Sequence, residues 1–200
     1  MEVLAQPSGW RRPWRVVDIV VASVLAVVGG VVFAIWNATY TPVFTALAGF
    51  PPATALVVGL WLVPGVLGGL VIRKLGAAVY TELVAALVSA LIGNQWGFTT
   101  VWYGALEGLG AELVLLAVLY RRFDLPVALA AGAGAGLACG VLDDVFYNAG
   151  LSTPYLVGYV LFAMLSGLVV AGLGSWALTR ALARTGALAP LASGRAAERV

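Results

Sequence analysis

The residues able to do chemistry in this chain are acids, and they stand where acids are rare. Glu82 interrupts the apolar run AAVYTELVAALVSAL at residues 77–91, with no Lys, Arg or His close by in the sequence. Glu107, Glu112, Asp143 and Asp144 fall in similarly apolar stretches. The other four acids, Glu2, Asp18, Asp124 and Glu198, lie near basic residues. A carboxylate at the centre of a lipid-spanning helix costs about 2.5–3.5 kcal/mol and normally faces the protein interior beside a partner. Protonation, hydrogen bonds within the protein, or a cationic ligand can each make it tolerable. Any one of the five is explained as well by a structural strut as by ligand contact. Five struts together are the poorer explanation.

Helical geometry adds detail. Glu82 shares a stripe with Ala86, Ser89 and Gly93, Glu112 follows Gly104 and Gly108, and Asp144 follows Gly136 and Gly140. Small residues leave room beside such acids. Glu107 and Glu112 are separated by about 140° around a helix, so they need not serve one pocket. Asp143 and Asp144 point about 100° apart, which weakens their reading as the acid/base pair of an intramembrane enzyme. Aromatic residues accompany the acids. Trp36, Trp61, Trp96 and Trp102 fall in the same half of the chain's spans as Tyr103 and Tyr147. Negative charge and aromatic faces together are what an organic cation requires. The segment GNQWG at 93–97, with Asn94 and Trp96, adds amide donors and acceptors.

Several chemistries are excluded. The chain has no His, so His-based metal sites and Ser-His-Asp catalysis are out. There is no GxxxxGK[ST] motif to hydrolyse ATP, no zinc spacing and no dinucleotide fingerprint. The lone Cys139 allows no internal disulfide. No cofactor and no nucleic-acid partner is expected. The Asn37-Ala-Thr39 sequon reads as chance, and no cleaved signal peptide is evident.

The elements that must position these residues are membrane helices. Of 200 residues, 62% are hydrophobic and 10% charged, and the mean hydropathy is +1.01. A spanning helix needs about 20 apolar residues. Six stretches qualify: 16–36, 53–72, 76–93, 98–120, 126–147 and 155–178. The basic residues fall before span one, between spans two and three and spans four and five, and after span six. The connections at 37–52, 94–97 and 148–154 carry none. The positive-inside rule then predicts an all-α six-transmembrane-helix bundle with both termini cytoplasmic. Residues 1–178 form its single domain, and 179–200 a short interfacial helix followed by a disordered tail. Pro42, Pro51 and Pro52 in NATYTPVFTALAGFPP argue against continuous helix there and suggest a lid folded over the bundle. Pro64 is expected to kink span two.

The block GAAVYTELVAALVSALIGN (76–94) followed by EGLGAE (107–112) resembles the YkoE-type S components of energy-coupling factor (ECF) vitamin transporters. The likeness runs from about Trp14 to RTGAL at 184–188. It includes GLW at 59–61, IRKLGAA at 72–78, and Asp144 with Phe146 before Gly150. The resemblance implies a substrate-binding subunit in the bacterial cytoplasmic membrane, without an energy source of its own. It would work with a transmembrane coupling protein (the T component) and two ATPase subunits. It implies thiamine or its hydroxymethylpyrimidine precursor as substrate. Thiamine's thiazolium cation and aminopyrimidine match the local chemistry. Carried over residue by residue, ligand contact falls on Trp61, Glu82, Asn94, Trp96, Glu107, Asp144 and Tyr147, with Glu112 as a strut. It also implies that Ala22, Ala26 and Gly30 of the first helix meet the coupling protein, with packing inside the chain as the equal alternative. A proton-coupled carrier of small cations and an intramembrane acid/base enzyme remain the competing readings.

Overall fold

The computed structural model describes residues 13–47 and 49–197, so Glu2, Trp10, Arg11, Arg12, Glu198 and Arg199 lie outside it. The described residues form helices: α1 (Val16–Leu47), a 3₁₀-helix (Pro51–Leu62) continuing into α2 (Val63–Ile72), and α3 (Ala77–Ile92). Then follow α4 (Thr99–Ala117), α5 (Leu125–Phe146), α6 (Thr153–Ser166), a π-helical segment (Gly167–Leu173), α7 (Gly174–Arg184) and the short α8 (Ala192–Ala197). Five runs are long and apolar enough to cross a membrane: 16–47, 51–72, 99–117, 125–146 and 153–184. The remaining expected span is α3, with 16 residues. Gly76 before it and Gly93 after it adopt positive φ angles of 82° and 110°. These conformations are open to glycine and stop the helix at both ends. α3 packs between α1, α2 and α4. The outward face of α1 is apolar and exposed at Val20, Val24, Val28, Val31 and Ile35, as a lipid-facing surface should be.

The lid expected at 37–52 is absent. α1 runs on through Pro42 to Leu47, and the connection to the 3₁₀-helix is short. A proline inside a helix removes one backbone donor. Here the turns before it are already formed, and the residues of the extension find packing partners across the bundle. Tyr40, for example, stacks against Phe44, Trp61 and Trp96. Span two departs from an even α-helix over the 12 residues preceding Val63, with Pro64 in the first turn of the α-helix that follows. A 3₁₀ stretch of this length is unusual. It is pinned from the side: the Gly59 N–H donates to Ser166 Oγ at 2.9 Å, and that hydroxyl donates to the Leu56 carbonyl at 2.7 Å.

Close backbone approach organises the second half of the bundle. A Cβ on Gly132 would come within 2.3 Å of the Gly167 carbonyl, and one on Gly136 within 2.3 Å of the Ala163 carbonyl. α5 therefore lies directly on α6 and the π-helical segment, as small-residue stripes permit. A similar stripe on α1, for which contact with a coupling protein and packing inside the chain were equal expectations, packs inside the chain. Ala22 and Ala26 are fully buried. Ala22 packs with Leu67, Val71 and Ala77, and Ala26 packs with Ala85. A Cβ on Gly30 would meet the Ala85 carbonyl at 2.6 Å. These three residues seat α1 on α2 and α3.

The end of the bundle opposite the Gly93–Phe98 turn carries the basic residues. Asp18 is 1% exposed and accepts from Lys74 Nζ at 2.5 Å and Arg15 Nη2 at 2.8 Å. Lys74 also donates to the Pro13 carbonyl at 2.7 Å, and Arg15 to the Pro190 carbonyl at 3.0 Å. This knot ties α1 to the α2–α3 turn and to the C-terminal segment. Part of the segment expected to be interfacial or disordered packs on the bundle. Leu188 and Leu191 are buried against α1 and α2, because the apolar surface there needs cover. Gly132→Val is expected to destabilise the protein by about 1–3 kcal/mol, because the carbonyl it meets is backbone and must move. Thermal unfolding in detergent checks this, and an unchanged midpoint contradicts the close α5–α6 packing.

Candidate functional site

The five acids of the apolar segments divide into two kinds. Glu82 and Glu112 face backbone. Glu82 Oε2 accepts from the Gly65 N–H at 2.5 Å. Gly65 lies in the first turn of α2, next to Pro64 and just after the junction with the 3₁₀-helix. Glu82 thus caps a neighbouring helix. Gly65, Gly104 and Gly108 make room for it, since a Cβ on any of them would crowd Glu82 atoms. Its Oε1 is buried without a hydrogen bond. Glu112 does the same for α3, accepting from Gly76 N at 2.6 Å and Ala78 N at 3.0 Å, and its Oε1 also accepts from the Tyr120 hydroxyl.

Glu107 and Asp143 face a cavity instead. The cavity has a volume of about 280 Å³ and lies at the end of the bundle remote from the basic residues. No Lys or Arg lines it. Asp143 Oδ2 accepts from the Tyr159 hydroxyl at 2.8 Å, with the Cys139 thiol at 3.9 Å. The Tyr103 hydroxyl faces Asp143 without a hydrogen bond of good geometry. Glu107 is 6% exposed and sits beside the Cys139 thiol. The two carboxylates and the thiol come from α4 and α5, which pack along each other through Gly110 and Gly134.

Aromatic rings line much of the rest of the cavity. The Tyr40 and Trp61 ring centroids are 5.4 Å apart, Tyr40 and Trp96 5.5 Å, and Trp61 and Trp96 5.7 Å with planes at 89°. Tyr103 and Tyr147 form a second pair at 6.1 Å. The 3₁₀-helix contributes Thr54, Val57, Val58 and Trp61. Positions three apart, 54 with 57 and 58 with 61, align because a 3₁₀ turn holds three residues. The site can therefore hold a flat organic molecule between rings, and it presents two acids to a positive charge or to amino groups.

Three comparisons identify the fold's relatives. A family model described as the permease component of an ABC-type cobalt transport system matches residues 17–138. A candidate HMP/thiamine permease protein, YkoE of Bacillus subtilis (strain 168), is 36% identical over 188 residues, 92% of each chain. A solved structure, the crystal structure of an S-component of an ECF transporter, aligns with a TM-score of 0.85 at 35% identity, covering 94% of both chains. This chain belongs to the YkoE-type S components of ECF transporters. It is a substrate-binding subunit of a multi-pass membrane importer, and not an enzyme.

The S component's cavity gathers four of the residues picked from sequence: Trp61, Trp96, Glu107 and Tyr147. Tyr147 is 55% exposed and stands at the rim. Glu82 does not line the cavity, because its carboxylate is turned to α2. Asn94 does not line it either. Its Oδ1 accepts from Trp96 N at 2.9 Å and Thr100 Oγ1 at 3.2 Å, which shapes the α3–α4 turn that presents Trp96. Asp144 sits on another side of α5, near Leu156 and Val160, and accepts from Asn148 Nδ2 at 2.9 Å. Its neighbour Asp143 is the cavity acid, as the 100° step between adjacent helical residues requires.

Sequence reasoning missed Asn37, Tyr40 and Phe44, which line the cavity from the extension of α1, and Tyr159 from α6. The signal was present: 37, 40 and 44 follow the spacing of one helix face. Among the described residues, no group of three His, Cys, Asp or Glu side chains could hold a metal ion. Glu82→Ala is expected to cost about 1–3 kcal/mol, since the Gly65 N–H loses its acceptor. Glu82→Gln, which keeps a carbonyl oxygen, should retain most of the stability. Thermal melts of the two variants decide, and an unchanged midpoint in Glu82→Ala contradicts the capping role.

Proposed function

We propose that this S component captures thiamine or its hydroxymethylpyrimidine precursor in the cavity between α1, the 3₁₀-helix, α4 and α5. The carrying observation is the pairing of two cavity carboxylates, Glu107 and Asp143, with the Tyr40–Trp61–Trp96 wall, in a cavity without a basic residue. The name of the Bacillus subtilis relative supports the same substrate class. A thiazolium ring carries a permanent positive charge and gains from both the carboxylates and the aromatic faces. An aminopyrimidine offers N–H donors to the same acids. A divalent metal ion as the substrate fits poorly, since three clustered metal-ligating groups are lacking among the described residues.

The chain spans the bacterial cytoplasmic membrane six times in this reading, with α3 as the short span, and both termini are cytoplasmic. The distribution of basic residues supports this orientation, and it opens the cavity to the outside. Delivery uses a T component and two ATPase subunits, since the chain carries no ATP-binding motif. The coupling surface lies elsewhere than the buried Ala22–Ala26–Gly30 stripe.

Titration calorimetry of the purified protein should give saturable binding of thiamine, accompanied by tryptophan quenching from Trp61 and Trp96. Glu107→Gln and Asp143→Asn should each weaken thiamine binding by about one to two orders of magnitude, as expected for losing a charged partner. Their effect on hydroxymethylpyrimidine, which is uncharged near neutral pH, should be smaller. Glu82→Gln should leave both affinities nearly unchanged. Absence of binding to both compounds overturns the assignment.

A further inference from the structure

Trp61 is the ring that meets both Tyr40 and Trp96, and its own orientation is set by a residue that the cavity chemistry does not require. The Trp61 Nε1–H donates to Asn37 Oδ1 at 2.8 Å, and Asn37 Nδ2 donates to Ser89 Oγ at 3.1 Å. Asn37 is 7% exposed and Ser89 fully buried, so the bond between them is shielded from bulk water, while the Trp61 bond is partly buried at the cavity wall. An indole nitrogen only donates, so the asparagine amide has one workable orientation here. Its oxygen must face Trp61, and its NH₂ group must then face the serine. The bonds join three elements: α1 through Asn37, the 3₁₀-helix through Trp61 and α3 through Ser89. With its N–H already committed, Trp61 offers a ligand its face alone.

We propose that Asn37 is the positioning residue of the aromatic wall, fixing the plane of Trp61 so that its face, and not its N–H, meets the cationic ring of the ligand. This rests on the cavity being the substrate site. It predicts a dependence on ligand charge that a merely structural role would not produce, because a tilted Trp61 loses cation–π contact while the neutral pyrimidine keeps its contacts with the acids.

The test is a double-mutant cycle with two readouts on the intact protein in detergent. The first is the near-ultraviolet circular dichroism of the ligand-free protein, which senses the fixed packing of Trp61 against Trp96 and Trp36. Asn37→Leu should remove a large part of the signal that Trp61→Phe removes, and the double variant should match Trp61→Phe alone. Asn37→Asp, which keeps the acceptor for the indole, should restore the spectrum. The second readout is affinity. Asn37→Leu should weaken thiamine binding by about tenfold and hydroxymethylpyrimidine binding by less, and it should have no further effect in a Trp61→Phe background. An unaltered spectrum in Asn37→Leu overturns the proposal whether or not thiamine is the ligand. So do additive effects of the two substitutions, or equal losses for the charged and the neutral compound. Failure of the unmodified protein to bind either compound would instead count against the substrate assignment, leaving the spectroscopic arm to decide the role of Asn37.

Discussion

The separation of charge along the bundle is the constraint on which the rest depends. Every Lys and Arg in the described residues sits at one end or in the C-terminal segment, and the five acids of the apolar helices form no ion pair among the described residues. A buried carboxylate without a cation must be satisfied by hydrogen-bond donors or by something that enters. The fold uses both solutions. Glu82 and Glu112 take the free N–H groups at the starts of α2 and α3, each reaching across from another helix. These bonds answer two needs together, since helix starts have donors to spare and the acids have lone pairs. Glu107 and Asp143 are left facing the cavity, where a tyrosine and a thiol supply partial satisfaction and a ligand can supply more.

Packing makes this arrangement possible. Glycines 65, 104 and 108 clear space for Glu82, and glycines 132 and 136 let α5 lie on the π-helical segment and α6 with no room for a side chain between. In a lipid environment helices are not driven together by the hydrophobic effect, so such close approach carries much of the association. The irregular elements belong to the same design. Where span two would be α-helical it is 3₁₀, held by Ser166, and its residues Thr54, Val57, Val58 and Trp61 line the cavity. The extension of α1 through Pro42 brings Tyr40 and Asn37 to the same wall. An aromatic cluster and a pair of acids thus line one cavity.

Much of this was legible in the residues. Composition and the spacing of apolar runs located the helices, because burying backbone polar groups in lipid leaves helix as the natural solution, though α1 runs on to Leu47 where span one was expected to end at 36. The acids were recognisable as unusual from their surroundings. Which acid does what was not. Asp143 and Asp144 are neighbours in the chain, and only the rotation of α5 against α6 decides that the first lines the cavity and meets Tyr159 while the second does not line it and meets Asn148. Glu82 resembled a ligand contact until α2 was seen to begin beside it. Prolines 42, 51 and 52 suggested a lid, since local propensity disfavours helix at proline. Tertiary contacts of Tyr40 and Phe44 outweighed that cost.

The sequence by itself determined the class of protein, the positions of its apolar helices and the polarity of its charges, because each follows from local composition and from the energy of placing polar groups in lipid. It also carried the family, through a long block of matching residues around Glu82 and Glu107. Only the tertiary structure decided which side chains share a cavity. That choice depends on helix rotation and on a few ångströms of approach between segments far apart in the chain, such as Asn37, Trp61 and Ser89, and no local pattern encodes such distances.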